Sequence, residues 1–433
     1  MEPLTAANTQ FSLNLFKKIS GGNASGNVFF SPVSISSALA MVSLGARGNT
    51  AAQMIKVLGF TNPPKPDAAT PGHHQPTQKP QIACGAKGQH EPMTQQTQKF
   101  EIPAQLKKCP QPVPGQKTED QIHSSFNKFM RELNKPGVPY VLSLANRLYG
   151  EQSYQFVEKF LNDAKSYYEA GLEKVDFKNQ SEAARVNINK WVEKKTQEKI
   201  KDLVPQGAID GMTRLVLVNA IYFKGNWEKQ FPKGSTRDGQ FKLNKNRTKP
   251  VKMMNQKAQF PLAFIPDINS QVLELPYVGK NLSMLIILPN EMDDDTTGLQ
   301  KLEKALSYEK FIQWTKPSNM RQQEVEVFLP RFKMEEKYDM KSLLISMGME
   351  DVFDMQKVNL SGMSTNNDLV LSKVIHKAFV EVNEEGTEAA GATGAIVAVR
   401  SLPQMFNADH PFLFFIRHNP SNAILFYGRF CSP

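Results

Sequence analysis

Apolar positions recur along this chain with two different periods, and the change from one to the other organises it. Val33–Gly45 is almost entirely apolar or small and follows Ser31-Pro32, which predicts a buried helix with a capping hydroxyl and a proline in its first turn. Thr50–Leu58 predicts a short helix that Gly59 ends. Asp120–Leu133 places Ile122, Phe126, Phe129, Met130 and Leu133 on one helical stripe. Phe156–Ala170 and Ser181–Lys201 read the same way, the second with Val186, Ile188, Trp191, Val192 and Ile200 as its apolar face. Tyr140–Leu148, between them, alternates like a strand.

From residue 213 onward the strand period dominates. Leu215–Phe223 is long and continuously apolar, as a strand covered on both faces is. Gln271–Leu275, Met284–Leu288, Glu324–Phe332, Ala378–Asn383 and Ala423–Phe430 are further strands by the same reading. Early helices followed by many strands predict an α+β fold with large antiparallel or mixed sheets. The exception is residues 60–120, dense in proline and glutamine and without either period. This stretch reads as a long flexible insertion between two helices, because folded-looking sequence resumes on both sides.

Composition narrows the class without naming a function. The chain has 433 residues, 40% hydrophobic and 22% charged, which is ordinary for a globular protein. A formal charge of +10 permits attraction to polyanions and shows none of them. Three cysteines, Cys84, Cys109 and Cys431, argue against a disulfide framework and fit a reducing compartment. Met1–Thr5 lacks a basic n-region, and the longest apolar stretches fall short of the roughly 20 residues that span a bilayer. A cytoplasmic protein without a membrane span is therefore expected, with export by a route that needs no signal peptide as the alternative. His73, His74, Cys84 and His90 lie close together in the insertion, but metal binding needs a defined geometry that a proline-rich segment does not supply, so no metal site is assigned. Lys194, Lys195 and Lys199 lie at helical spacing and read as a solvated helix face. No phosphate loop, zinc signature or self-contained catalytic triad stands out, and no cofactor is implied.

The informative stretch begins at Val380. A strand-like run leads into Glu384, Glu385 and Gly386, then a row of small residues, then Ala395–Pro403 with Arg400 as its one basic residue. By composition this is an ordinary flexible loop. Its alternation says more: on one strand face lie Thr387, Ala389, Gly391, Thr393, Ala395, Val397 and Val399, all uncharged. Glu388 falls on the other face. Such a segment can enter a crowded sheet without burying an unpaired charge, so it is loop and latent strand in one sequence.

Here a resemblance becomes specific. Glu384-Glu385-Gly386-Thr387-Glu388-Ala389-Ala390 resembles the hinge of inhibitory serpins. Asn27–Ser36, Gly45–Thr50, Asn219–Gly225 with Trp227, Ala408–Phe412 and Gly428–Pro433 also resemble serpin signature stretches. Together they run from end to end of the chain outside the insertion, and the absence of a signal peptide is similar to the intracellular, ovalbumin-like clade B branch. Within it, the glutamine-bearing loop and arginine bait are similar to the plasminogen activator inhibitor 2 subgroup, and the framework is shared with leukocyte elastase inhibitor-like members.

The resemblance implies helices packed around three β-sheets, one serpin domain over residues 1–433 and an exposed reactive loop over 384–405. It implies no enzyme but a monomeric suicide substrate, cleaved at Arg400–Ser401, that traps trypsin-like proteases of the plasminogen activator, plasmin, trypsin or thrombin class. Ser34, Asn219 and His376 resemble the polar cluster beneath the opening sheet, and Trp227 the place where Thr387 first enters it. The insertion's glutamines are transglutaminase cross-linking candidates by the same resemblance. The alternatives are a non-inhibitory serpin, or a nuclear, nucleic-acid-binding one that uses the basic insertion.

Overall fold

A computed structural model describes residues 2–60, 116–386 and 402–433, with the side chains of 116–119 left aside. Thr387, Glu388, Ala389, Ala390, Arg400 and Ser401, the insertion's histidines, and Cys84 and Cys109 lie outside the described residues. The described residues fall almost wholly within one compact unit, Met1–Thr61 with Glu119–Pro433.

The helices are α1 (Glu2–Gly21), α2 (Pro32–Ser43), α3 (Gly48–Val57), α4 (Gln116–Leu133), α5 (Glu158–Tyr168), α6 (Phe177–Lys195), α7 (Gln300–Ala305), α8 (Tyr308–Thr315) and α9 (Met340–Ser346). Helix α2 starts as its sequence predicts: the Ser31 side chain accepts from the Ser34 amide, Pro32 occupies the first turn, and every residue is buried. Helix α6 departs from expectation. It begins at Phe177, with Asp176 capping the Asn179 amide, and stops at Lys195 because Gln197 and Glu198 take left-handed conformations. Lys199 therefore does not share a helical face with Lys194 and Lys195. No described helix is long and apolar enough to cross a membrane.

Five strands form one sheet in the order β10 (Phe332–Asp339), β11 (Lys373–Val382), β4 (Leu215–Gly225), β2 (Tyr140–Glu151) and β3 (Leu172–Val175). The nine-stranded sheet holds β1 (Val28–Phe30), β14 (Ala423–Phe430), β13 (Phe412–His418), β8 (Leu282–Pro289), β7 (Ser270–Pro276), β6 (Arg247–Ile265), β9 (Arg321–Pro330) and β12 (Gln404–Asn407), with β5 (Arg237–Asn244) on β6. The described strands thus form two sheets where three were expected. The reason is the length of β6, which pairs with β5 at its start, β9 along its middle and β7 at its end, so that one strand carries two sets of partners.

The continuous apolar run of β4 has the predicted cause. Leu215, Leu217, Ile221 and Phe223 face the large core shared with α2 and the nine-stranded sheet. Val216, Val218, Ala220 and Tyr222 face a second core closed by Ile188 and Val192 of α6. Asn219 interrupts the first of these two sets. The run expected over Glu324–Phe332 divides at Arg331, where the chain leaves the nine-stranded sheet for the five-stranded one.

Candidate functional site

The site lies where β4 and β11 run side by side. They are parallel, in register from Lys373 opposite Val216 to Phe379 opposite Tyr222, although every other neighbour of theirs is antiparallel. Parallel neighbours leave room, in principle, for one antiparallel strand between them.

His376 and Asn219 face each other across this pair. Asn219 Oδ1 accepts from Ser34 Oγ at 2.8 Å and stands 2.6 Å from His376 Nδ1. The Ser31 amide donates to His376 Nε2 at 3.1 Å. An oxygen acceptor on one ring nitrogen and an amide donor on the other fix a neutral imidazole protonated at Nδ1. The cluster ties the start of α2 to both strands and joins Ser34, Asn219 and His376 through hydrogen bonds. Ser31, which contributes through its backbone amide, carries no side-chain signal for that role.

His376 is fully buried, and burial pushes its pKa from 6.5 down to about 3. A second proton would also set N–H against N–H at Ser31. The unfolded chain therefore binds more protons than the folded one between about pH 6.5 and 3. His376 contributes its full stability above 6.5 and loses about 1.4 kcal/mol per pH unit below it. His376→Gln keeps one donor and one acceptor but cannot titrate, so its urea midpoint is expected to fall less steeply than the parent's between pH 6.5 and 4.5.

Beyond β11 the chain reverses. Asn383 and Gly386 form an antiparallel bridge around Glu384 and Glu385. Gly386 has φ +93°, and a Cβ there would lie 2.4 Å from the Trp227 amide nitrogen and 2.6 Å from Asn226 Cα, so only glycine fits. Trp227 and Phe231 amides donate to the Glu385 and Glu384 carbonyls at 3.0 and 2.8 Å, and the Trp227 indole donates to the Asn383 carbonyl at 3.0 Å. Trp227, buried and stacked on Tyr277 at 4.6 Å, anchors this reversal.

The two acids are held differently. The Glu384 carboxylate is buried and meets Arg331 at 2.5 Å and Thr236 Oγ1 at 2.7 Å. Burial pushes its pKa up, but the bonds from Arg331 and Thr236 outweigh that and leave it below the usual carboxylate range. Glu385 pairs with Lys233 at the surface. The sequence reading did not single out Arg331, Thr236 or Lys233. Arg331 had a signal, as the charged residue inside the run Leu329–Phe332; Thr236 and Lys233 had none.

The described chemistry is hydrogen bonding and shape, with no cluster of three or more metal-ligating side chains among the described residues. Cys431 is buried, which pushes its thiol up to about 12.

The sheet and hinge match a known class. The serpins, serine protease inhibitors, match residues 6–433, and the chain belongs to that family. Within it, the chain is of the clade B, ovalbumin-like branch. It is 48% identical to leukocyte elastase inhibitor of Equus caballus, with 100% of both chains covered. Among solved structures it resembles uncleaved ovalbumin, with a TM-score of 0.80 and 35% identity over 99% of this chain and 100% of that one. It also resembles human thyroxine-binding globulin complexed with its hormone, with a TM-score of 0.80 and 28% identity over 100% and 99% of the two chains. As a serpin the chain is not an enzyme.

Proposed function

We propose that the chain is a suicide-substrate inhibitor of serine proteases that cut after arginine, with Arg400–Ser401 as the bait bond. The observation that carries the reading is the parallel pair β4–β11 with the chain reversed at Gly386 against the end of β4. A strand that follows Gly386 runs antiparallel to both neighbours. The uncharged face from Thr387 to Val399 suits it for burial there. The protease serine attacks the Arg400 carbonyl and forms an acyl-enzyme, releasing the segment that starts at Ser401. Insertion of Thr387–Val399, a strand of about 40 Å, then drags the acylated protease away before water frees it. Strand addition supplies the energy, as in other proteins that release stored strain on cleavage.

Incubation with trypsin, and in parallel with a plasminogen activator, tests this on a denaturing gel. A band at the summed mass that survives detergent is expected, with a fragment that begins at Ser401. Clean cleavage with no complex and full residual protease activity would overturn the reading. A non-inhibitory role is then the second reading, favoured by the likeness to a globulin named for binding thyroxine, since one fold carries unrelated functions. A monomer over residues 1–433, a cytoplasmic site of action and transglutaminase cross-linking through glutamines of residues 60–120 belong to the same proposal.

A further inference from the structure

One apolar stripe of the nine-stranded sheet runs out past its own cover. Phe260, Leu262 and Phe264 fall on the same face of β6, which keeps an unbroken register with β9 and then β7 over that stretch. Phe260 and Leu262 are buried, at 2% and 4% exposure. Phe264 is 56% exposed and is the one exposed aromatic side chain among the described residues. Its backbone is nonetheless fixed. It pairs with Gln271 of β7, the next residue, Ile265, is buried, and the hairpin tip is held by Asn269, whose carbonyl accepts from the Asn290 amide at 2.9 Å.

Its place in the fold says what covers it. Residues directly opposite on antiparallel strands point to one face, about 4.5–5.5 Å apart, so Phe264 and Gln271 stand together. Gln271 Nε2 donates to the Met405 carbonyl of β12 at 3.4 Å, which puts Phe264 one side chain away from the strand that follows the bait bond. That strand is apolar at its surface too, with Leu402 93% and Met405 53% exposed. These are the second and fifth residues past the Arg400–Ser401 bond, and five residues of chain reach at most about 18 Å. A protease domain of about 230 residues has a radius of gyration of about 17 Å and is about 45 Å across, so one seated on that bond overhangs this rim. Resting on the inhibitory reading above, we propose that Phe264 is a second contact for the arginine-directed protease, an aromatic anchor set against an apolar patch on the rim of the protease cleft that receives Leu402. Arg400 then selects for an acidic specificity pocket, and Phe264 selects among the proteases that share that pocket. An aromatic ring on a paired hairpin loses little freedom on docking, which suits it to this role.

The probe is trypsin in two forms, active and with its catalytic serine replaced by alanine, each tested against the full chain. The inert form reads docking alone. Phe264→Ala is expected to weaken its binding about tenfold, and Phe264→Trp to stay within about twofold of the parent. Because the contact is apolar, the ratio of parent to Phe264→Ala affinity is expected to be the same at about 0.15 M and about 1 M salt. With active trypsin the second-order trapping rate is expected to fall by the same factor, while the yield of covalent complex and the urea midpoint hold. Equal binding of the parent and Phe264→Ala to inert trypsin would overturn the proposal and leave the inhibitory reading standing. A tenfold loss of docking without any covalent complex from active trypsin would do the reverse, keeping Phe264 as a contact and removing the trap. No binding of the parent to inert trypsin would overturn both. A urea midpoint that falls along with the binding would also overturn the proposal, since Phe264 would then serve the fold and not the interface.

Discussion

Arg400→Glu is expected to slow covalent trapping of trypsin by roughly three orders of magnitude. The effect has two parts: the charge-assisted pairing of a guanidinium with the acidic specificity pocket is lost, and a carboxylate is pushed against the pocket's own. Together these cost on the order of 4 kcal/mol, which is about a thousandfold in the second-order rate. Progress curves of trypsin activity against inhibitor concentration measure it. Thermal unfolding in the absence of protease is expected to stay where it was, because the substitution changes the bait and not the framework. An unchanged rate would move the bait bond away from Arg400. A lost complex with rapid cleavage elsewhere in the loop would instead keep the loop as substrate and leave trapping specific to the arginine.

The fold was legible where one physical cause dominates. The unbroken apolar run of β4 reads as doubly covered because both of its faces are covered, by separate cores. Helix α2 was legible from its cap and its proline. Helix α1 was not, because Asn8, Thr9 and Ser12 are buried in it, and their side-chain bonds to Ile424, Thr5 and Thr9 carbonyls break the apolar period. Strands β5 and β6 escaped notice for a similar reason: their lysine-rich exposed faces and the prolines Pro250 and Pro261 hide an alternation that only the ladders make plain. At the site, Ser34, Asn219, His376, Trp227 and the hinge acids were found by motif, and the structure brings the first three into one hydrogen-bonded cluster. What the motif did not supply was the partners. Thr236 and Arg331 reach Glu384 from connections far away in the chain, one before β5 and one between β9 and β10, and no local pattern announces a contact made across such a separation.

Those partners set the second large effect. Glu384→Lys replaces a buried carboxylate, accepting from Arg331 and Thr236, with a third cation beside Arg331 and Lys233. Removing one partner of a well-buried pair costs about 3–5 kcal/mol; Arg331 is 46% exposed and partly screened, so about 3 kcal/mol is expected here, repulsion included. The hinge then keeps its backbone bonds to Trp227 and Phe231, the indole bond to Asn383 and the Glu385–Lys233 pair, and loses its one buried carboxylate contact. The urea midpoint is expected to fall, and emission from Trp227 to shift to longer wavelength as its cover loosens. The charge-swapped pair Arg331→Glu/Glu384→Lys separates electrostatics from packing. If the ion pair holds the hinge, the swap restores a large part of the lost stability, with a coupling energy of about 1 kcal/mol or more in the double-mutant cycle. If the two substitutions simply add, Glu384 matters for the space it fills and the bond it accepts from Thr236, and Thr236→Val becomes the more damaging single change. Under the proposed mechanism hinge attachment and strand insertion draw on the same residues, so the swap also bears on trapping. A hinge that is held but reversible should restore inhibition along with stability, whereas one held too rigidly should restore stability and leave the inhibitor slow.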